Sequence, residues 1–263
     1  MPPLLHAAFD VGYFLDRLQP DELLWRALWY TVLISVVAQV LGTILGVISA
    51  SFALSRRGPL RAIAGVYVWV FRGTPVILQI VFWYNGMTLL LGYDLFPRVM
   101  QIGPFELKGA IAAGIVALAM NEGAYMSEIV RAGILSVDEG QVEAALVVGM
   151  TEEQATRRIV LPQAARLIVP GLGNEFNNML KTSSLVSVIG VTELYQEGQI
   201  AVSSTFQYPE VFMAVAAWYL VLTSLWMLVQ VQIERALGRS DRIAGETFLA
   251  RLLGAGQRRK TYS

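Results

Sequence analysis

Three ionisable residues, Glu122, Glu175 and Lys181, stand in stretches that are otherwise apolar. If those stretches cross a membrane, each costs about 2.5–3.5 kcal/mol on insertion scales, so each is functional by default. An anion and a cation together would suit a zwitterion, the carboxylate meeting Lys181 and the ammonium meeting Glu175. On an ideal helix, six residues turn through about 600°, so Glu175 and Lys181 would not share a face. Pro170, Gly171 and Gly173 lie just before them and could bend or loosen that helix, changing the geometry. The competing reading is an internal ion pair that satisfies only itself. Glu122 has a bland reading too, pairing with Asn121, Tyr125 or a water. A fourth charge, Arg72, precedes Gly73, Thr74 and Pro75 within another apolar stretch. Pro75 breaks the helical ladder there, and backbone groups freed at membrane depth border a cavity or are buried in protein. Arg72–Pro75 therefore reads as a hinge or pathway lining, or else as a packing kink with Arg72 snorkelling. Glu128 and Arg131, three apart, read as a structural pair.

Composition narrows the chemistry. Hydrophobic residues make up 55% of the 263 and charged residues 15%, against about 25% charged in soluble domains. Such a balance fits a polytopic membrane protein in contact with lipid. There is no cysteine, which excludes disulfides, thiol catalysis and thiolate metal sites, and the one histidine, His6, lies near the N-terminus. No metal or other cofactor is expected. A formal net charge of zero gives no argument for nucleic acid. No lysine follows a glycine, so the chain has no P-loop and would need a partner to hydrolyse ATP.

Positioning these residues requires spans of roughly 20 apolar residues. Five are predicted, at about 23–54, 63–91 (interrupted at 72–75), 108–130, 163–180 and 209–233. The fourth is weak. The first carries Gly42, Gly46 and Ala50 every fourth residue, a small-residue stripe for close helix packing, and Trp25, Trp29 and Tyr30 at an interfacial belt. No cleavable leader is expected, since no basic region closely precedes the first span. Fourteen of the twenty Lys and Arg residues fall in 55–61, 131–166 and the segment after 234. By the positive-inside rule these are cytoplasmic, with the N-terminus outside and an odd number of spans. The expected organisation is an extracytoplasmic segment 1–22, a transmembrane body 23–237 and a cytoplasmic tail 238–263.

The cytoplasmic stretch from about 136 to 158 reads as two short helices around Gly149, with Thr151 capping the second and Glu152 and Glu153 in its first turn. It contains Glu143-Ala144-Ala145, then Gly149, then Ile159-Val160-Leu161-Pro162. Small Ala144 and Ala145 would let this helix sit close in a partner's groove. Gly149 would supply the positive φ that ends it, and Pro162 would start the next span.

At every spacing, that run resembles the signature of ABC importer permeases. The polar amino acid branch is resembled further in Phe71-Arg72-Gly73-Thr74-Pro75, Gly123-Ala124-Tyr125-Met126-Ser127-Glu128-Ile129-Val130-Arg131, Gly140-Gln141 and Lys181-Thr182-Ser183-Ser184-Leu185. The resemblance covers about 20–237. It implies an all-α bundle of five transmembrane helices with a cytoplasmic coupling helix, the MetI-like permease fold, in a bacterial inner membrane. It also implies dimerisation with an identical or related permease, two cytoplasmic ABC ATPase subunits and an external solute-binding protein. Glu143, Ala144, Ala145, Gly149, Ile159, Leu161 and Pro162 would form the ATPase-coupling loop. Positions matching Glu175 and Lys181 line a membrane substrate site in relatives, and Glu122 and Ser183 join the candidate set. Relatives more often carry a small polar residue at the position of Glu122. Two acids near one lysine would favour a basic amino acid. Two rivals remain: an ion-gradient-driven transporter of small zwitterions using Glu122, Glu175 and Lys181 as a proton relay, and a membrane subunit that only docks a soluble enzyme.

Overall fold

A computed structural model describes residues 9–102 and 105–236. The N-terminus opens with α1 (Val11–Leu18), whose first turn is capped by the Asp10 carboxylate. Asp21 likewise caps α2 (Glu22–Ala53), accepting from the Leu24 amide. Next come α3 (Gly58–Gly73) and α4 (Val76–Leu91), bent by 105° at the Thr74–Pro75 junction. A π-helical turn at Phe82–Gly86 lies within α4.

Sequence periodicity had not pointed to the next element, an antiparallel hairpin of β1 (Val99–Ile102) and β2 (Phe105–Lys108), in which Val99 pairs with Lys108 and Gln101 with Glu106. It leads into α5 (Gly109–Leu135). Gly109 is required at this junction because a Cβ would collide with the carbonyl oxygens of Phe96 and Pro97.

The chain continues through α6 (Glu139–Val147) and the single turn α7 (Glu152–Ala155), then a π-helical turn Thr156–Val160 that runs directly into α8 (Leu161–Thr182). Pro162 therefore sits near the start of α8 but within a continuous helical path. The π turn accommodates a proline that neither donates to the ladder nor leaves room for the carbonyl before it. A 3-10 segment Ser183–Ile189 follows, then α9 (Leu194–Thr205) and α10 (Tyr208–Ala236).

The central element is α5. It is buried along most of its length, and α2 lies against it over several turns. Their contact explains the small-residue stripe: a Cβ on Gly42 would come within 2.7 Å of Glu122 Cβ, and one on Gly46 would overlap Met126. One apolar core gathers Ile34 and Ala38 of α2, Ile80 of α4, Leu118 of α5, and Val186 and Ile189 of the 3-10 segment. A second joins Leu24 and Leu28 to Leu194 and Val202 of α9 and Val211 and Val215 of α10. The outward faces of α2 and α10 are apolar and exposed, Trp25 and Trp29 among them, as a lipid-facing surface demands.

Among the described residues three helices, α2, α5 and α10, are long and apolar enough to cross a membrane, and the bent pair α3–α4 makes up to four. At 22 residues α8 has sufficient length, but Asn174, Glu175, Asn177, Asn178 and Lys181 reduce its hydropathy. Pro170, Gly171 and Gly173 do not interrupt the helix, and α8 runs through them as one element. Its glycines serve close approach instead. A Cβ on Gly171 would come within 2.8 Å of Ile129 on α5, and one on Gly173 within 2.7 Å of Gln230 on α10. Trp226 Nε1 donates to the Gly173 carbonyl at 2.7 Å, closing the seam between α8 and α10. The expected tail 238–263 lies outside the described residues.

Candidate functional site

The Glu143–Pro162 pattern folds as an elbow. Asp138 caps α6 by accepting from the Gly140 amide at 2.8 Å. The helix ends in a Schellman-type turn, in which the Met150 amide donates to Ala145 O and the Gly149 amide to Leu146 O, each at 3.0 Å. Gly149 takes φ +88°, a conformation costly for residues with a Cβ. Thr151 then opens α7 with a reciprocal capping box to Gln154, and Glu152 and Glu153 stand in its first turn.

One expectation needs correcting. Ala144 is exposed, but Ala145 is buried within the chain at 6% exposure, because α6 folds back against α7 and the π turn. The apolar surface actually presented is Leu146, Val147 and Val148, at 41%, 87% and 74% exposure. Glu143 and Leu161 are exposed and Ile159 is half-buried.

The ionisable residues of the apolar segments do not form one cluster. Glu122 is buried and accepts a hydrogen bond from Gln39 Nε2 of α2 at 2.9 Å, so its partner is neither Asn121 nor Tyr125. Glu175, half-buried on α8, lies within electrostatic reach of Glu122. Lys181 is exposed. Among the described residues Glu175 and Lys181 form no ion pair, as their 600° separation on an unbroken helix requires. The Ser183 hydroxyl is buried and donates to Leu180 O at 3.0 Å. Glu128 and Arg131 form the expected i,i+3 pair at 2.8 Å.

Arg72 is exposed at the end of α3, its guanidinium 5.1 Å from the centroid of the Tyr125 ring in a cation–π contact, with Glu128 of the same α5 helix also in electrostatic reach. The backbone after it breaks at Thr74–Pro75 as anticipated. Two residues that sequence reasoning had missed close this break: Gln79 and Asn121, both buried polar amides. An uncharged polar residue in an otherwise apolar run is the signal that marks both in the sequence.

Residues 42–239 match the family described as binding-protein-dependent transport system inner membrane component. The chain belongs to this family. The permease is 37% identical over 209 residues to the arginine transport system permease protein ArgU of Corynebacterium glutamicum, covering 79% of this chain but 65% of that relative, a little under two thirds of its length. It is 34% identical to the probable amino-acid ABC transporter permease protein PatM of Vibrio harveyi, covering 88% of this chain and 98% of the relative. Among solved structures, the crystal structure of an amino acid ABC transporter with histidines superposes with TM-score 0.73 at 38% identity, covering 85% of this chain and 98% of that one. An inward-facing MetNI methionine ABC transporter shares the fold, with TM-score 0.65 at 22% identity, over 82% of this chain and 96% of that one. The permease thus has the MetI-like helical fold of a bacterial membrane transport component.

Proposed function

We propose that this permease imports polar amino acids, as the membrane-spanning subunit of an ATP-driven complex with two ABC ATPase subunits, an external solute-binding protein and a second permease subunit. The observation that carries the reading is the complete Glu143–Pro162 pattern folded into an exposed helical elbow. The amino acid class is supported by the likeness to the arginine permease ArgU, to the probable amino-acid permease PatM and to the amino acid ABC transporter crystallised with histidines. Five spans with the N-terminus outside and the C-terminus in the cytoplasm follow if α8 also crosses, around a body of 23–237 in contact with lipid. Movement of the elbow on ATPase closure would rock the spans between two states, the loaded binding protein biasing the same equilibrium.

A basic substrate is the preferred subclass. Glu122 and Glu175 are in mutual electrostatic reach while Lys181 pairs with neither, leaving an acidic region that a cationic side chain would neutralise. Glu175→Gln is expected to shift preference from arginine towards glutamine by about tenfold, the worth of one charge-assisted hydrogen bond. Complex assembly should be unchanged. Competition uptake assays beside size-exclusion profiles check this, and failed assembly with unshifted selectivity would count against a substrate contact.

The deciding experiment is reconstitution in liposomes with the ATPase and binding protein, measuring uptake of labelled arginine, lysine, histidine and glutamine. ATP-dependent uptake is the expected result. Full-rate uptake without ATP, abolished by collapsing an ion gradient, would instead establish the gradient-driven transporter.

A further inference from the structure

The 105° bend between α3 and α4 is held by side chains rather than by backbone. In an unbroken helix the amide of residue 75 would donate to Phe71 O, but Pro75 has no N–H, and Phe71 O loses its partner. A bare carbonyl at membrane depth is costly. The structure fills this role twice over: Gln79 Nε2 donates to Phe71 O at 2.9 Å, and Asn121 Nδ2 donates to the same oxygen at 2.8 Å. Gln79 Nε2 also reaches Thr74 O at 3.1 Å and Thr74 Oγ1 at 2.8 Å. Thr74 Oγ1 in turn donates to Val70 O at 2.9 Å. The two amides are joined, Asn121 Nδ2 donating to Gln79 Oε1 at 3.2 Å. Both side chains are 8% exposed, so water is a poor substitute for any of these bonds.

The placement has two mechanical consequences. Gln79 lies on α4, Phe71 and Thr74 at the end of α3, and Asn121 on α5, so one small network pins both arms of the broken span to the central helix. Arg72 and Gly73 lie between the two pinned carbonyls. Their backbone is therefore held where it presents the Arg72 guanidinium over Tyr125, itself on α5 one helical turn beyond Asn121. The neighbouring Glu122 ties α5 to α2 through Gln39. Adjacent residues of one helix thus fasten two different elements.

We propose that Gln79 and Asn121 form an amide latch that fixes the bend of the α3–α4 span and positions Arg72 along the transport path. They are positioning residues, acting through Phe71 and Thr74 on Arg72 and not by touching substrate. Only the functional arm of the test rests on the import reading.

The test uses the complete complex with Gln79→Met and Asn121→Leu, singly and together. The chain has no cysteine, so Val66→Cys and Leu89→Cys, both at exposed positions on opposite arms of the bend, accept spin labels cleanly. The parent complex, labelled in one permease subunit only, should give one narrow inter-label distance, and each latch variant a broadened one. Uptake per ATP hydrolysed should fall about tenfold, as expected for loss of a buried hydrogen bond, with the half-saturating substrate concentration unchanged. The double variant should be no worse than the poorer single one, because residues of one network do not act additively. Should Asn121→Leu fail to assemble, Gln79→Met, close in volume and lacking donors, carries the test alone. An unchanged narrow distance overturns the latch. A broadened distance with undiminished uptake per ATP overturns its positioning role. A parent complex that fails to transport at all refutes the import reading instead and leaves the distance measurement intact.

Discussion

Gly149→Val lowers ATP-driven uptake by an order of magnitude or more while the permease still inserts and packs normally. Gly149 sits at φ +88° between α6 and α7, outside both apolar cores. A residue with a Cβ pays about 1–2 kcal/mol to hold the left-handed conformation, and β-branched valine is a strong outlier there. A Cβ at this position meets nothing within 4 Å, so the penalty is entirely conformational and the rest of the chain has no reason to move. The elbow relieves the strain by losing the Schellman bonds at Ala145 and Leu146, and Leu146, Val147 and Val148 then lose their common orientation. Asparagine tolerates this region of backbone space far better than valine. Gly149→Asn should therefore retain most of the uptake that Gly149→Val loses. The measurement is substrate imported per ATP hydrolysed, read beside the amount of inserted protein. Equal uptake by well-inserted Gly149→Val and parent complexes would remove the docking role from the elbow.

The second large effect is on folding. Gly46→Val should prevent α2 and α5 from closing and cost about 3 kcal/mol, the upper part of the range for overpacking a tight interface. The added Cβ overlaps Met126 and comes within 3.0 Å of the Met126 carbonyl carbon and the Ser127 amide nitrogen, backbone atoms that cannot rotate aside. Separation of the helices would also stretch the Ser127–Ser49 hydroxyl bond of 2.9 Å and the Gln39–Glu122 bond of 2.9 Å. A reduced yield of monodisperse protein in detergent and an earlier thermal unfolding midpoint are the expected signs. Gly65 supplies the control: a Cβ there meets nothing within 4 Å, and Gly65→Ala should leave both measurements unchanged. If Gly46→Val and Gly65→Ala behave alike, the α2–α5 seam is not held by backbone proximity.

Local rules accounted for much of this chain. Apolar runs longer than 18 residues can satisfy their backbone in lipid only as helices, so α2, α5 and α10 were legible within a few residues. The elbow was legible because a threonine cap and a glycine with positive φ are determined by immediate neighbours. Proline's missing N–H likewise located the break at Thr74–Pro75 without any knowledge of packing. The small stripe on α2 announced a close contact, although not with which helix.

Contacts between distant residues were decided elsewhere. That Glu122 meets Gln39, 83 positions away, depends on the crossing of α2 and α5, which periodicity cannot specify. The same crossing turns Gly46 towards Met126. Ala145 was expected on the docking face, yet the backward fold of α6 onto α7 buries it and leaves Leu146–Val148 outside. Pro170–Gly173 suggested a weak point in α8, where neighbouring helices press close enough to make those glycines a packing seam. The amides Gln79 and Asn121 carry no charge and match no spacing rule. Their importance emerges only when three helices bring them to one orphaned carbonyl, because a hydrogen bond depends on position in space and a sequence states only order along the chain.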